Sequence, residues 1–67
     1  MVKVGDRVEI TGLMPNDPDP LPIGLRGTVE EIPPHVGQLW VDWDVDAEGR
    51  KRTLVLLTTD PYRVVEE

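Results

Sequence analysis

The chain has 67 residues and a net charge of −6, from 13 acidic and 7 basic side chains. This length suits one small domain, which we place over residues 1–67. With no cysteine and one histidine, the chain can form no disulfide, thiolate metal site or histidine metal cluster, and its acidity disfavours non-specific binding to nucleic acid or anionic lipid.

No apolar run in the sequence is long enough to span a membrane, and the N-terminal stretch "MVKVGDRVEI" lacks the apolar block of a signal peptide. The absence of cysteine fits a reducing compartment. We therefore expect a soluble cytoplasmic protein without membrane contact.

The first predicted strand covers residues 2–10, where apolar residues occupy even positions and charged residues lie between them. This period of two is typical of a half-buried strand. Gly5-Asp6 is expected to interrupt the strand with a turn or a bulge. The residues expected on the core face are Val2, Val4, Val8 and Ile10.

The loop from Leu13 to Leu25 contains four prolines, each of which fixes its own φ and restricts the residue before it. The loop is therefore predicted to follow a stiff, extended path that loses little conformational entropy on folding. Its polar residues Asn16, Asp17 and Asp19 have two interpretations. They form local turns with nearby backbone N–H groups, or they form an acidic rim that meets a basic partner.

Four further strands and two tight turns are predicted downstream of this loop. The turn in "DAEGRK" needs a left-handed residue, which we assign to Gly49. The segment "TTDP" predicts a single helical turn of 3₁₀ type, capped by Thr59 or Asp60. The predicted strands cover residues 27–32, 38–45, 52–58 and 62–65.

Five short strands without helical periodicity predict an all-β fold: a small five-stranded SH3-like barrel with a long proline-rich first loop and a short 3₁₀ turn before the last strand. The order "KVGDRVEI", long loop, "GLRGTVEEI", "LWVDWD" and "TTDPYRVV" resembles the SH3-like barrel family, including the KOW type of ribosomal and transcription proteins. That resemblance covers nearly the whole chain.

The stretches "NDPDPLPIGLRGTV", "VDWD" and "DPYRVV" also resemble an uncharacterised family of small bacterial and phage domains of unknown function. That family is typified by an Asp-Pro-x-Pro, Gly-Thr-Val and Trp-Asp pattern, often with a tight Trp-Asp-Asn-Gly turn. Here the turn is the longer "WDVDAEGRK". The resemblance implies the fold and a phage or mobile-element context, but no activity.

The two tryptophans are predicted to lie on opposite faces of the third strand. Trp43 shares its face with Leu39, Val41 and Val45 and is expected in the core. Trp40 shares its face with acidic residues and is expected to be at least partly exposed. Its indole then stacks on a base, a proline or a cation of a partner, or it covers a barrel end or a dimer seam.

Asp42, Asp44 and Asp46 repeat at every second position, as in the first half of a calcium-binding loop. The sixth and twelfth positions of that pattern hold alanine and threonine rather than glycine and glutamate, so an EF-hand is excluded and no metal site is predicted. We instead expect cross-strand ion pairs between these acids and the basic run at residues 50–52.

The sequence contains no nucleophile–histidine pair, glycine-rich phosphate loop or dinucleotide fingerprint. So small a barrel also has little volume for a desolvated catalytic pocket. We therefore expect a non-catalytic protein without a cofactor.

Three hypotheses of function remain, and the leading one is a binding module for a basic protein or peptide, whose association is salt-sensitive. The second is a small homo-oligomer that binds a small molecule or nucleotide at a subunit interface. The third is a KOW-like nucleic-acid contact, which the acidic balance disfavours most. The residues expected to contact a peptide partner are Asp17, Asp19, Trp40, Asp42, Asp44 and Tyr62. Those expected to contact an anion at a subunit interface are Arg26, Arg52 and Arg63.

Overall fold

Five strands form one antiparallel sheet in the computed structural model, which describes residues 2–14 and 17–66. The strand order is β4-β3-β2-β1-β5, so β4 and β5 are the two edges of the sheet, and within the described residues the barrel stays open between them. The all-β, five-stranded fold predicted from the sequence is confirmed. The strands are β1 (Arg7–Ile10), β2 (Arg26–Glu31), β3 (Gln38–Trp43), β4 (Leu56–Leu57) and β5 (Tyr62–Val65).

The interruption predicted near the start of the chain is present, and it delays β1 until Arg7. Gly5 has a φ of +93°, and the Asp6 N–H donates to the Lys3 carbonyl oxygen at 3.0 Å, which closes a turn. This turn carries Val4 out to solvent, so its predicted place on the core face is wrong. Val2 packs against the core as expected.

The core lies on one face of the sheet and is completed by both ends of the proline-rich loop. Met14 comes from the start of that loop and Leu21 from its later half, so the loop covers the core instead of projecting from it. Trp43 is fully buried, as predicted, and its indole N–H donates to the Leu54 carbonyl oxygen at 2.7 Å. The buried apolar residues are Val8, Ile10, Met14, Leu21, Leu25, Val29, Leu39, Trp43 and Leu56.

A β-bulge lies between β2 and β3. Val29 pairs with Val41, but the next pair is Glu31 with Trp40, so Glu30 is an extra residue on the β2 side. Glu30, Glu31 and Trp40 are all exposed at this point. The bulge therefore places two carboxylates beside the exposed indole, an arrangement that the regular alternation of the sequence does not predict.

The fourth strand is much shorter than the predicted span of 52–58, because the hairpin that follows β3 separates after its first bridge. Val45 pairs with Lys51, and the next pair is Leu39 with Leu56. Between these two pairs, the first side of the hairpin has five residues, 40–44, and the second side has four, 52–55. Because the two sides do not match, residues 52–55 leave the ladder. Val45 itself is 60% exposed, which corrects its predicted place on the core face.

The two predicted turns form where expected. Gly49 has a φ of +81°, the left-handed conformation assigned to it. Before β5, the Asp60 N–H donates to the Leu57 carbonyl oxygen at 2.9 Å, which closes a single i to i+3 turn where the 3₁₀ turn was predicted, without the consecutive hydrogen bonds of a 3₁₀-helix. The Asp60 carboxylate accepts the Leu57 N–H at 2.8 Å, so Asp60, rather than Thr59, caps this turn.

Gly27 sits where β2 crosses the buried indole of Trp43, and we predict that Gly27→Ala destabilises the fold. A Cβ there would lie 2.5 Å from Val41 Cγ1 and 2.8 Å from the Asp42 carbonyl oxygen. Such overpacking typically costs about 1–3 kcal/mol in the free energy of unfolding, which urea denaturation measures. Gly12→Ala is the matched control, because its nearest contact is a Pro61 carbon at 3.1 Å. Equal stability of the two variants would contradict the prediction.

Candidate functional site

Arg52 joins the proline-rich loop to the hairpin after β3. Its side chain is only 8% exposed, and its guanidinium lies among backbone carbonyl oxygens and carboxylates. It donates to the carbonyl oxygens of Asp19 and Pro20 at 2.7 and 3.2 Å, and it pairs with the carboxylates of Asp19 at 3.3 Å and Asp46 at 3.7 Å. Burial of a charge is tolerated where its hydrogen bonds are satisfied in this way.

Asp46 supports the same junction from the hairpin side. Its carboxylate accepts the backbone N–H groups of Glu48 and Arg50, both at 2.9 Å, which closes the turn around Gly49. The hydrogen bond from the Arg50 N–H is the main reason that the pKa of Asp46 lies below its ordinary value. Asp46 is therefore a turn residue and a partner of Arg52, not part of an exposed acidic face.

Of the three arginines expected to contact an anion, the structure brings only Arg26 and Arg63 together. Arg26 and Arg63 both pair with the carboxylate of Glu9 on β1, at 3.1 and 2.8 Å. Hydrogen bonds from both arginines lower the pKa of Glu9, and the one from Arg63 has the larger effect. Arg52 faces the proline-rich loop instead.

The acids expected to bind a partner have different local roles. Asp42 pairs with Lys51 at 2.5 Å, as the predicted cross-strand arrangement requires, but Asp44 pairs with Arg7 on β1 at 2.5 Å. The hydrogen bond from Arg7 lowers the pKa of Asp44. Asp17 accepts the Asp19 N–H at 3.0 Å, which is the turn geometry that one interpretation of the loop predicts.

The carboxylate of Asp19 is not free to form an acidic rim either, because it pairs with Arg50 at 3.0 Å as well as with Arg52. The hydrogen bond with Asp19 raises the pKa of Arg50. Tyr62 is half-buried on β5, where it packs against the core and pairs with Ile10. The neighbouring Asn16, together with Pro15, lies outside the described residues.

The ion pairs are distributed unevenly between the two signs of charge. All 7 lysine and arginine side chains form an ion pair with an acid of the same chain. In contrast, six acids of the described ranges pair with no described cation, and these six account for the excess negative charge of this surface. They are Asp17, Glu30, Glu31, Glu48, Asp60 and Glu66.

An apolar groove of about 700 Å³ opens between the proline-rich loop, the segment that leads into β4 and the turn before β5. Two of the unpaired acids, Asp17 and Asp60, lie at its rim. Leu13 is 75% exposed at this groove, and Leu57 is also exposed there. The apolar residues that line the groove are Leu13, Met14, Leu54, Val55, Leu57 and Pro61.

A smaller cavity of about 230 Å³, the Trp40 slot, lies where residues 52–55 leave the ladder. Trp40 is 47% exposed, as the sequence predicts. Lys51 lies in the slot, but its ammonium group contacts the Asp42 carboxylate and the Trp43 carbonyl oxygen. The slot is lined by Glu30, Trp40, Val41, Asp42, Lys51 and residues 52–55.

The structure thus brings Trp40 and Asp42 together in the slot and places Asp17 at the groove, while Asp19, Asp44 and Tyr62 make other contacts.

Three residues that line the groove or the slot were not predicted from the sequence: Leu13, Leu57 and Glu30. For the leucines, the sequence contains a signal of exposure. The run "LVLL" at 54–57 and the apolar residues that precede the prolines contain more consecutive apolar side chains than one buried face of a strand can hold. For Glu30, nothing in the sequence indicates the bulge that places it beside Trp40.

Comparison of the chain with protein-family models, with curated proteins and with solved structures gives no match. In residues 2–14 and 17–66 there is no helix with the length and apolar character needed to cross a membrane. Those residues also contain no group of three or more His, Cys, Asp or Glu side chains placed to hold a metal ion.

We predict that Arg52→Met lowers the free energy of unfolding by about 3 kcal/mol, the lower end of the range for breaking a buried ion pair. The substitution leaves the carbonyl oxygens of Asp19 and Pro20 without their donor and the Asp46 carboxylate without its cation. Urea denaturation measures the loss. Arg50→Met is the control, because Arg50 pairs with the same Asp19 carboxylate from an exposed position and should matter little. Similar losses in both variants would contradict the special role of Arg52.

Proposed function

We propose that this protein is a non-catalytic binding module of the cytoplasm that recognises a basic segment of another protein through the apolar groove. One observation carries the proposal. Every lysine and arginine side chain is held in an ion pair within the chain, whereas six described acids have no cationic partner among the described residues. A surface with unneutralised carboxylates attracts and orients a cationic partner.

The groove supplies the apolar part of such recognition. Its volume of about 700 Å³ lies within the range of roughly 300–1,000 Å³ that is typical of ligand sites. Exposed leucines supply area that a partner can bury, and the carboxylates of Asp17 and Asp60 lie at the rim, where a lysine or arginine can reach them. The chemistry therefore suits an extended segment that combines apolar and basic side chains.

The two rival functions both need cations that are available to an anion. A nucleotide at a subunit interface, or a nucleic-acid backbone, would have to compete with the carboxylates that already bind each arginine and lysine. For Arg26 and Arg63 the competitor is Glu9, and for Arg52 it is the pair of carboxylates of Asp19 and Asp46. The ion pairs therefore support a basic partner more strongly than an anionic one.

Binding is tested with three pools of twelve-residue peptides that share the same apolar half. The polar half consists of lysine and arginine, of serine, or of aspartate and glutamate. We expect the basic pool to shift the backbone amide NMR signals of the groove residues in a saturable way, the serine pool to do so weakly and the acidic pool not at all. Shifts of equal size with the acidic pool would contradict the proposal.

The matched variants are Leu13→Ser and Ile23→Ser. Both side chains are exposed, so neither substitution should affect folding, but only Leu13 lines the groove. We expect Leu13→Ser to weaken binding of the basic pool and Ile23→Ser to leave it unchanged. Equal effects would place the binding surface elsewhere.

A further inference from the structure

We propose that the Trp40 slot receives an arginine side chain of the same basic partner, so that the slot is a second contact point beside the apolar groove. This inference rests on the proposed function and names the group that the slot takes. It draws on three features of the structure: how the slot forms, which of its charges are neutralised, and which walls it shares with the groove.

The slot is a consequence of two irregularities in the sheet. The bulge at Glu30 turns two neighbouring carboxylates out beside Trp40, and the mismatch in the following hairpin moves residues 52–55 away from β3. Within the described residues, the stretch from Trp40 to Asp44 consequently has no ladder partner on that side of β3. One face of the slot is thus an accessible indole, and its opposite wall is the segment 52–55.

The charges of the slot leave one carboxylate without a counterion at its wall. Asp42 is neutralised by Lys51, and Arg52 is turned towards Asp19 and Asp46. Glu30 has no ion pair with any described cation, and Glu31, also unpaired, is the register partner of Trp40. An incoming cation would therefore meet negative charge and an aromatic face together.

A guanidinium group fits this combination better than other cations do. It is planar, stacks on an indole ring, and donates two parallel hydrogen bonds to one carboxylate, whereas an ammonium group is a compact and more strongly hydrated charge. The volume of about 230 Å³ is below the usual range for whole small molecules, so a single side chain is the better match.

The arginine must come from another protein. Each arginine and lysine of this chain is already paired with an acid of the same chain, so a second copy would have to give up one of its ion pairs to supply a cation, and it would add acidic repulsion. Leu54 and Val55 line both the slot and the groove. An extended segment with an apolar residue in the groove can therefore place an arginine in the slot across this shared wall.

The test uses N-acetyl-arginine methylamide and its uncharged isostere, N-acetyl-citrulline methylamide, added to the ¹⁵N-labelled protein. The indole N–H signal of Trp40 reports the slot, and that of Trp43, buried and bonded to the Leu54 carbonyl oxygen, is the internal reference. We expect the arginine compound to shift the Trp40 signal with saturation at millimolar concentrations, and the citrulline compound to leave it in place. No shift, or an equal shift with citrulline, would overturn the inference.

The variant Glu30→Gln keeps the size of the side chain and removes its charge, and Glu48→Gln does the same for an unpaired acid that does not line the slot. We expect Glu30→Gln to weaken binding of the arginine compound by about threefold, as for a partly exposed charge contact, and Glu48→Gln to leave it unchanged. Equal effects would overturn the inference.

If the basic peptide pool binds the groove while the arginine compound leaves the Trp40 signal in place, the slot assignment fails and the proposed function stands. If no basic pool binds, the proposed function fails whatever the slot does.

Discussion

The structure depends above all on the hydrogen bonds of one buried cation, Arg52, to the proline-rich loop. A loop that carries three core residues must be held against the sheet, yet prolines remove the N–H donors that a β-ladder would use. Arg52 provides donors from outside the loop, and the carbonyl oxygens of Asp19 and Pro20 accept them. The prolines limit the entropy that this fixation costs. The groove depends on the result, because the loop forms one of its walls.

The ion pairs within the chain also determine which charges remain at its surface. The chain has nearly twice as many acids as bases, and the fold pairs every base with an acid of the same chain, although Glu9 and Asp19 are each shared by two arginines. Hydrogen bonds from Arg7 and Arg63 keep the pKa values of Asp44 and Glu9 low, so these pairs stay charged near neutral pH. The remaining acids are left at the surface, and Asp17, Asp60 and Glu30 lie beside apolar or aromatic groups. The acids of the chain thus pair with its cations and also supply the surface charge on which the proposed recognition depends.

Much of the fold could be predicted because its causes are local. The period of two placed Trp43 in the core and Trp40 outside it, and Gly49 was assigned from turn chemistry alone. Val4 apart, the failures are non-local. The length of β4 depends on a one-residue mismatch between two sides of a hairpin, and the partner of Asp44 is an arginine 37 positions away. The groove needs three distant segments to meet, so the exposed leucines gave no sign of their shared location.

The central claim is that the surface of this protein recognises cations and not anions. The most direct measurement is one NMR titration of the labelled full chain with the basic peptide pool, a nucleoside triphosphate and a single-stranded oligonucleotide in turn, under the same low-salt buffer. The account predicts saturable shifts at the groove with the basic pool alone, which weaken as salt is added. Saturable shifts with the triphosphate or the oligonucleotide, and none with the basic pool, would contradict it.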